Sequence, residues 1–229
     1  MKTRKICFVA LLMMSTVTLF GQDRPPIITF GPNSYEVDFS FDKRYKKEYA
    51  HSYNDIEGSP YLNNEFVNGI FYIKDTVAIK LPIRYNIYSD QMEYQSKGEN
   101  YVVGSPQNIS RVVLGESEFI YLPLIRKSGF FELFVSGKCK LVQKMRVDFI
   151  PSEGSKPIVG MTKARFERFP DVFYVVNNKD ETLRIGNMKS VLTALQDKKS
   201  KVESFIKKER IRNTKKENLI KIINYYNSL

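Results

Sequence analysis

The sequence is poor in the residues on which many catalytic and metal-binding sites depend. Its 229 residues include no tryptophan, one histidine and two cysteines. A single histidine, His51, excludes metal sites built from several histidines, and no serine nucleophile motif accompanies it for a triad. The Gly-Ser-Pro segments 58–60 and 104–106 have the pattern of turns rather than of phosphate-binding loops. We therefore predict no cofactor, no metal site and no catalytic residue.

The acidic residues give only a remote indication of catalysis. Glycoside hydrolysis needs two carboxylates that face each other across a cleft, and nothing in the spacing of these residues brings two of them together. A hydrolase that uses carboxylates of the first strands stays a remote alternative to a protein without catalytic activity. The residues concerned lie mostly at predicted turns, and they are Glu57, Glu65, Asp75, Asp90 and Glu93.

The two cysteines, Cys7 and Cys139, do not predict a disulfide or a lipid anchor. Cys7 lies at the start of the apolar N-terminal run, whereas a lipid anchor requires a cysteine at its end. Loss of that run leaves Cys139 alone, and one cysteine cannot form an internal disulfide. Alternation places Cys139 on the inward side of a predicted strand, as a small core residue and not a nucleophile.

Residues 1–21 have the pattern of a secretory signal peptide. Lys2, Arg4 and Lys5 precede an apolar core at 6–19, which is shorter than the ~20 residues of a membrane span. No later stretch is apolar enough to cross a membrane, so the mature chain is predicted to have no transmembrane segment. We expect a protein that is soluble after cleavage and located in the periplasm or outside the cell.

Three further segments are predicted after the signal peptide. Residues 22–57 begin with several prolines and predict an extended or poorly ordered segment, although 35–42 alternates like a half-buried strand. Residues 58–186 alternate between short β-prone runs and turn residues, which predicts an antiparallel β domain. Residues 187–229 change to a helical period and predict a C-terminal helical unit packed on that domain.

The strongest strand signal is a pair of runs on either side of Ser136 and Gly137. Residues 129–135 and 139–149 alternate in polarity, which is typical of antiparallel strands with one face in water and one in a core. Similar runs continue along 58–186 and predict an antiparallel meander of about ten strands, rolled into an open barrel or a sandwich. The side chains of 139–149 that are expected to face inward are Cys139, Leu141, Met145, Val147 and Phe149.

About three short helices are predicted at the C-terminus. Asn187 is a candidate N-cap of the first helix, and Asp197 is a candidate cap of the second. Thr214 and Glu217 have the spacing of a capping box for the third. Each helix carries one apolar stripe, so the helices must pack on each other or on the sheet.

Charge is unevenly distributed along the chain. Residues 22–95 carry 8 basic and 11 acidic residues, whereas residues 96–229 carry 25 basic and 14 acidic residues. The second half is therefore expected to feel a weak attraction to anionic surfaces. The basic and aromatic run 163–169 has a composition found in nucleic-acid binding, but alternating Arg and Phe equally fit a half-exposed strand. Export also argues against a nucleic-acid partner.

The chain is rich in aromatic residues, with 14 Tyr and 16 Phe. Tyrosine suits binding surfaces because its ring is apolar and its hydroxyl group is polar. An alternative is that these rings pack in the core and across strands. The residues that we predict to line a groove for a ligand or partner are Tyr61, Phe66, Tyr72, Tyr85, Tyr88 and Tyr94.

Segments 58–66, 81–88 and 225–229, which read GSPYLNNEF, LPIRYNIY and YYNSL, carry a family resemblance. They resemble segments of exported proteins from Bacteroidota-type Gram-negative bacteria, a family with no known activity. The resemblance covers 58–229 and implies export and a role other than catalysis.

The sequence therefore predicts a mainly β protein with C-terminal helices and a non-catalytic function in the cell envelope. A binding or scaffold role is expected, with an envelope protein or an apolar ligand as the partner. The alternative is a periplasmic carrier that holds a lipid-like or other apolar ligand in a concave sheet, by analogy with folds of this shape. An unfilled concave cavity favours the carrier, whereas a filled core with an exposed aromatic patch favours protein binding.

Overall fold

Alternation of apolar and polar side chains produces strands throughout the β domain. The computed structural model describes residue 53 and residues 56–75, 77–123, 128–152 and 163–229. The predicted signal peptide, the run 35–42 and nearly all of the segment 22–57 lie outside these residues. The described residues form ten strands: β1 (Val67–Ile73), β2 (Val77–Asn86), β3 (Gln91–Ser96), β4 (Glu99–Val102), β5 (Ile109–Leu114), β6 (Ser117–Leu122), β7 (Gly129–Val135), β8 (Lys140–Ile150), β9 (Arg165–Val176) and β10 (Thr182–Ile185).

These ten strands of the described chain form one antiparallel sheet in the order β10-β9-β8-β7-β6-β5-β1-β2-β3-β4. The predicted mainly antiparallel fold is confirmed, and the sheet is open rather than closed into a barrel. β1 to β4 form a meander, as expected. However, β5 pairs with β1 instead of extending the meander at β4. The chain crosses back over the meander through a short 3-10 turn at Pro106–Asn108.

Two points where the sequence is unfavourable to a strand or its pairing is irregular lie inside continuous strands. Pro82 is in the middle of β2, where it pairs with Asn68 of β1. Because β3 pairs only with residues 83–86, β2 has a single neighbour at Pro82 and can tolerate a residue without an N–H group. Residues 165–169 and 172–176 belong to one strand, β9, which pairs with β8 on both sides of an irregularity between Lys144 and Arg146.

Segment 57–62 joins two strands that are not neighbours in the sheet. The Phe166 N–H of β9 donates to the Glu57 carbonyl oxygen (2.8 Å), and the Ile87 N–H, just after β2, donates to the Pro60 carbonyl oxygen (2.8 Å). Gly58 lies between these contacts with a φ of +81°, and a Cβ atom there would lie 2.3 Å from the Phe166 carbonyl oxygen. Glycine suits both constraints, so this predicted turn holds one end of the curved sheet together.

The concave face of the sheet is filled by buried side chains from β1 to β9, which we call the aromatic cluster. Tyr101 and Val103, at the β4 edge, belong to the same cluster as Ile109 of β5. This shared core explains the crossing after β4, because the sheet curls and brings its edge over later strands. The largest members that are fully buried include Phe71, Ile83, Tyr85, Met92 and Phe119.

Three α-helices follow β10 in the described chain: α1 (Met188–Ala194), α2 (Lys199–Lys208) and α3 (Lys216–Asn227). The predicted cap of α1 is confirmed, because the Asn187 side chain accepts a hydrogen bond from the Ser190 N–H (3.0 Å). The predicted capping box of α3 is wrong. That helix begins after Lys215, and Asn213, one residue before Thr214, accepts the Lys215 N–H (3.1 Å).

The predicted cap of α2 is also wrong. Lys198 occupies the cap position and makes no side-chain capping bond. Asp197 instead accepts the Tyr226 hydroxyl hydrogen bond from α3, with both carboxylate oxygens 3.0 Å from the Tyr226 oxygen. The carboxylate therefore links two parts of the helical unit rather than starting one helix. None of the helices in the described chain is both long and apolar enough to span a bilayer.

The helical unit, residues 187–229, covers the end of the sheet formed by β7 to β10. Its buried side chains and those of the strands form what we call the aliphatic cluster, which includes Val135, Leu141, Val175, Leu219 and Ile222. The Asn227 side chain fixes the last helix to the β7–β8 hairpin. Its Oδ1 accepts the Cys139 N–H (2.9 Å), and its Nδ2 donates to the Cys139 carbonyl oxygen (2.9 Å).

Candidate functional site

The six aromatic residues predicted to line a groove do not lie on one surface. Tyr85 and Tyr94 are buried in the aromatic cluster, which fits the alternative that they pack in the core. Burial raises the pKa of Tyr94 to about 12, and the stacked Tyr101 ring, 5.3 Å away between centroids, acts in the same direction. Burial and then the nearby Asp90 raise the pKa of Tyr85 well above its usual value. Neither hydroxyl is available to line a groove.

Tyr72 also lies apart from the other predicted site residues. The Arg111 guanidinium carbon lies 4.0 Å from the centre of the Tyr72 ring, and Arg111 also pairs with Glu118 (3.6 Å). The pairing of β1 with β5 places Tyr72 opposite Arg111. This is a cross-strand contact of a half-exposed sheet face, and it explains Tyr72 as a structural residue.

Tyr61 and Phe66 are brought together by Arg84 of β2. The Arg84 guanidinium carbon lies 3.6 Å from the Tyr61 ring centre and 4.4 Å from the Phe66 ring centre. Arg84 also binds Glu93 of β3, with 2.5 Å between Nη2 and Oε2, and the two side chains are 16% and 12% exposed. A guanidinium in contact with two rings and a carboxylate is held in place, so Arg84 fixes both aromatic side chains.

A second group of rings surrounds Phe166 of β9. Phe166 is buried, and its centroid lies 5.1 Å from Tyr53, 5.2 Å from Tyr88 and 5.6 Å from Phe149. Phe149 was expected to face inward, but it is 37% exposed, and Tyr88 is 39% exposed. The alternation was read correctly, since Phe149 pairs with Phe166. However, β8 extends beyond the residues that pair with β7, so its end is not covered.

The two groups are continuous, because the Tyr53 and Tyr61 rings lie 6.3 Å apart. We call the combined feature the aromatic surface. Three predicted residues, Tyr61, Phe66 and Tyr88, belong to it. The prediction missed the others because β9 is brought to the end of β2 by segment 57–62 and by ring contacts such as Tyr88 with Phe166, which leave no local signal in the sequence. The members of the aromatic surface are Tyr53, Tyr61, Phe66, Arg84, Tyr88, Phe149 and Phe166.

Two of the carboxylates considered for hydrolysis, Asp90 and Glu93, are engaged in other contacts. Asp90 accepts hydrogen bonds from the Tyr85 hydroxyl (2.7 Å) and the Lys144 ammonium (2.6 Å). Glu93 binds Arg84 and accepts the Asn86 amide (3.2 Å). Within the described residues, no three His, Cys, Asp or Glu side chains cluster closely enough to hold a metal ion.

Cys139 is fully buried in the aliphatic cluster, as the alternation predicted. Burial raises its pKa to about 12, and the Asp197 carboxylate adds to this effect while Lys140 opposes it. A thiol with such a pKa is protonated at neutral pH and is a poor nucleophile. The structure therefore assigns Cys139 a packing role.

The chain matches no family model, and comparison with curated proteins and with solved structures finds no match to either. Its function is therefore argued from its own residues.

Proposed function

We propose that this protein is an exported, non-catalytic protein of the cell envelope that binds a partner protein through the aromatic surface. The signal-like segment 1–21 and the resemblance to exported Bacteroidota-type proteins support export. The observation that carries the binding proposal is the exposure of Tyr88 and Phe149 above the buried Phe166 ring. Among the described residues, Tyr88 and Phe149 are the large hydrophobic side chains that are exposed to solvent. Adjacent exposed rings on a rigid base are typical of interaction surfaces.

The basic side chains of β8 and β9 favour a protein partner over a polyanion. Ion pairs join Arg165 to Glu167 (2.9 Å) and Arg168 to Asp171 (2.9 Å) on β9, and Arg146 to Asp148 on β8. Side chains alternate between the two faces of a strand, so Arg168 shares a face with Phe166, whereas the Arg165–Glu167 and Arg146–Asp148 pairs lie on the opposite face. Each of these basic side chains is paired with a carboxylate and therefore offers little net positive charge to a polyanion. The predicted attraction to anionic surfaces concerns instead the exposed basic side chains of the helical unit, and it stays a prediction.

The carrier alternative has less support. A lipid-like ligand needs an apolar volume, and ligand pockets typically measure roughly 300–1,000 Å³. Eighteen buried hydrophobic side chains of the described residues belong to the aromatic cluster on the concave face. Their packing leaves the exposed rings at the margin of the face as the better candidate for binding.

The test is photo-crosslinking from single positions of the aromatic surface. A photoreactive phenylalanine analogue replaces Tyr88 or Phe149, and the protein is exposed to light in its native envelope. The control position is Lys179, which is exposed on the β9–β10 turn, at the opposite end of β9 from Phe166. We expect positions 88 and 149 to crosslink to the same protein and position 179 not to do so.

A second variant separates loss of binding from loss of folding. Replacement of both Tyr88 and Phe149 by Ser removes the exposed rings and leaves Phe166 in place. We expect the double variant to fold and to lose the partner that the wild-type protein captures. Equal capture by both forms, or crosslinks of equal yield from all three positions, would overturn the proposal.

A further inference from the structure

Basic side chains are concentrated at the connection between α2 and α3, residues 207–216, which we call the basic turn. Six of its ten residues are basic and one, Glu209, is acidic, so the turn carries a net charge of +5. All six basic side chains are exposed. They are Lys207, Lys208, Arg210, Arg212, Lys215 and Lys216.

These charges are not neutralised within the described chain. Ion pairs engage basic residues of the sheet such as Arg84 and Arg111, but none of the ion pairs among the described residues includes a side chain of the basic turn. The Lys216 ammonium lies 4.8 Å from the centre of the Phe134 ring, which leaves its charge unpaired. The positive charge of the turn is therefore open to solvent.

The backbone at the end of α2 favours a residue other than arginine. Arg210 has a φ of +52°, in the left-handed region. The Ile211 N–H donates to the Ile206 carbonyl oxygen (3.0 Å). The Arg210 N–H donates to the Lys207 carbonyl oxygen (3.2 Å). This pair of bonds is the Schellman arrangement, in which glycine is usual at the left-handed position because it has no Cβ atom.

The start of α3 also carries basic residues where local stability favours others. Lys215 is the N-cap and makes no side-chain capping bond, whereas Ser, Thr, Asp and Asn are preferred at this position. Lys216 is the first residue of the helix, where the helix dipole disfavours a positive charge. The dipole of α2 accounts for Lys207 and Lys208 at its C-terminal end, but it does not account for these two lysines. Residues that are unfavourable for local stability are expected at functional sites.

The surroundings of the turn indicate which kind of anionic partner fits it. The large hydrophobic side chains exposed among the described residues, Tyr88 and Phe149, belong to the aromatic surface. The basic turn therefore lacks the apolar anchor of a usual protein interface, and it lacks an exposed ring on which a nucleic-acid base could stack. Long, flexible lysine side chains suit phosphate groups that have no fixed arrangement.

We propose that the basic turn docks the protein on a membrane surface that contains anionic phospholipids. Groups of about four to eight Lys and Arg residues are typical of such binding, and each contributes about fivefold in affinity. Because the turn has no large exposed hydrophobic side chain, the contact is electrostatic and is screened by salt. This surface is distinct from the aromatic surface, and the proposal does not depend on a partner protein.

Cosedimentation of residues 22–229, the form expected after signal cleavage, with lipid vesicles tests the proposal. One set of vesicles is phosphatidylcholine alone, and the other contains about 30% phosphatidylglycerol to supply an anionic surface. We expect binding to the anionic vesicles at an ionic strength of about 0.05 M and release at about 0.5 M. Equal binding to both sets, or binding that persists at high salt, would overturn the proposal.

A double variant separates membrane docking from a role in folding. Arg210→Gly with Lys215→Ser removes two charges and should weaken binding to anionic vesicles about 25-fold. Its stability in urea should equal or exceed that of the wild type, because glycine and serine suit these two positions. A role in folding alone predicts the opposite result, namely a less stable protein whose binding to vesicles is intact.

The matched control is Lys97→Gly with Lys179→Ser, which removes the same charge from two other turns. Lys97 is exposed and has a φ of +50°, close to that of Arg210, and Lys179 is exposed on the β9–β10 turn. We expect the control to bind the vesicles nearly as the wild type does. Equal losses for the two double variants would assign the binding to net charge. Tighter binding to polyglutamate than to vesicles of equal anionic charge would make an acidic protein the occupant, and either result would overturn the proposal.

Discussion

The aromatic and aliphatic clusters are built from different side chains and are completed in different ways. Seven of the eighteen buried members of the aromatic cluster are Phe or Tyr. The aliphatic cluster has thirteen buried members among the described residues, and one of these, Tyr226, is aromatic. Aliphatic side chains between helices and strands can be packed from all sides. Large rings at the end of a curved sheet cannot all be covered, and two of them stay exposed.

The contacts that complete each cluster differ as well. Helices cover the aliphatic cluster, and the Asn227 side chain fixes them to the β7–β8 hairpin. The aromatic cluster is completed by segment 57–62 and by Asp90, which reaches from the β2–β3 turn to β7 and β8. Gly129 makes this approach feasible, because a Cβ there would lie 2.1 Å from the Asp90 Oδ2. The helical end is therefore completed mainly by apolar packing under the helices, whereas the other end is completed by backbone and side-chain hydrogen bonds.

A large effect is expected from truncation in the aliphatic cluster. Ile222 is fully buried in α3. Ile222→Ala should lower the free energy of unfolding by about 2–5 kcal/mol, because it removes buried methyl groups and leaves a cavity. Urea denaturation followed by circular dichroism measures this loss. Lys221→Ala, at the exposed neighbouring position, should change stability by less than about 0.5 kcal/mol. Equal losses for the two variants would contradict the packing of α3 on the sheet.

A smaller effect is expected where the aromatic cluster is completed. Asp90→Asn should cost about 1–3 kcal/mol, since it leaves the partly buried Lys144 ammonium without this carboxylate. The control is Asp148→Asn at the exposed pair with Arg146, which should cost at most about 1 kcal/mol. If the control is as destabilising as Asp90→Asn, the Asp90 contacts do not hold the curved sheet in place.

Much of the fold could be predicted because its signals are local. Alternation in 129–135 and 139–149 predicted β7 and β8, and Asn187 predicted the start of α1. The errors arose where a nearby competitor took over a local role. Asn213 accepts the Lys215 N–H just before α3 while Thr214 makes no capping bond, and Asp197 binds Tyr226 instead of capping α2. Residue type alone does not decide between such neighbours.

The candidate site could be predicted only in part because its contacts are not local. Tyr61 and Tyr88 were identified as aromatic residues in a turn-rich segment. Their contact with Phe149 and Phe166 depends on the register of β8 with β9 across a long connection, and on the bridge at Glu57. Neither leaves a periodic signal in the sequence. Tyr85 and Tyr94 have the same residue type as Tyr88, and only the curvature of the sheet separates buried rings from exposed ones.

Alkaline pH tests how much the buried tyrosines of the aromatic cluster contribute to the pH dependence of stability. The pKa of Tyr94 is raised from its usual 10.0 to about 12, because burial disfavours the charged form. The stability that the protonated Tyr94 hydroxyl contributes is fully present below pH 10. It is lost as the pH rises from 10 through 12, because this tyrosine ionises first in the unfolded chain. Between about pH 10 and 11, Tyr94→Phe should therefore lose about 1 kcal/mol less stability than the wild type.

Urea denaturation at about pH 8, 10 and 11 measures this difference. Tyr72→Phe is the control, because Tyr72 lies on a half-exposed sheet face against Arg111. Its pH dependence should follow the wild type. A Tyr94→Phe variant whose stability falls with pH as steeply as the control would show that burial of this hydroxyl does not contribute to the alkaline loss.

The smallest effect on stability is expected for the exposed rings, and this result separates structure from function most sharply. Tyr88 and Phe149 already contact water in the folded protein, so their replacement by Ser forfeits little buried area. The free energy of unfolding of the double variant should lie within about 0.5 kcal/mol of the wild-type value, as is usual for surface substitutions. Phe166→Ala, beneath them, should cost about 3–5 kcal/mol. A double variant as unstable as Phe166→Ala would mean that the rings complete the core, and the aromatic surface would then need no partner to explain it.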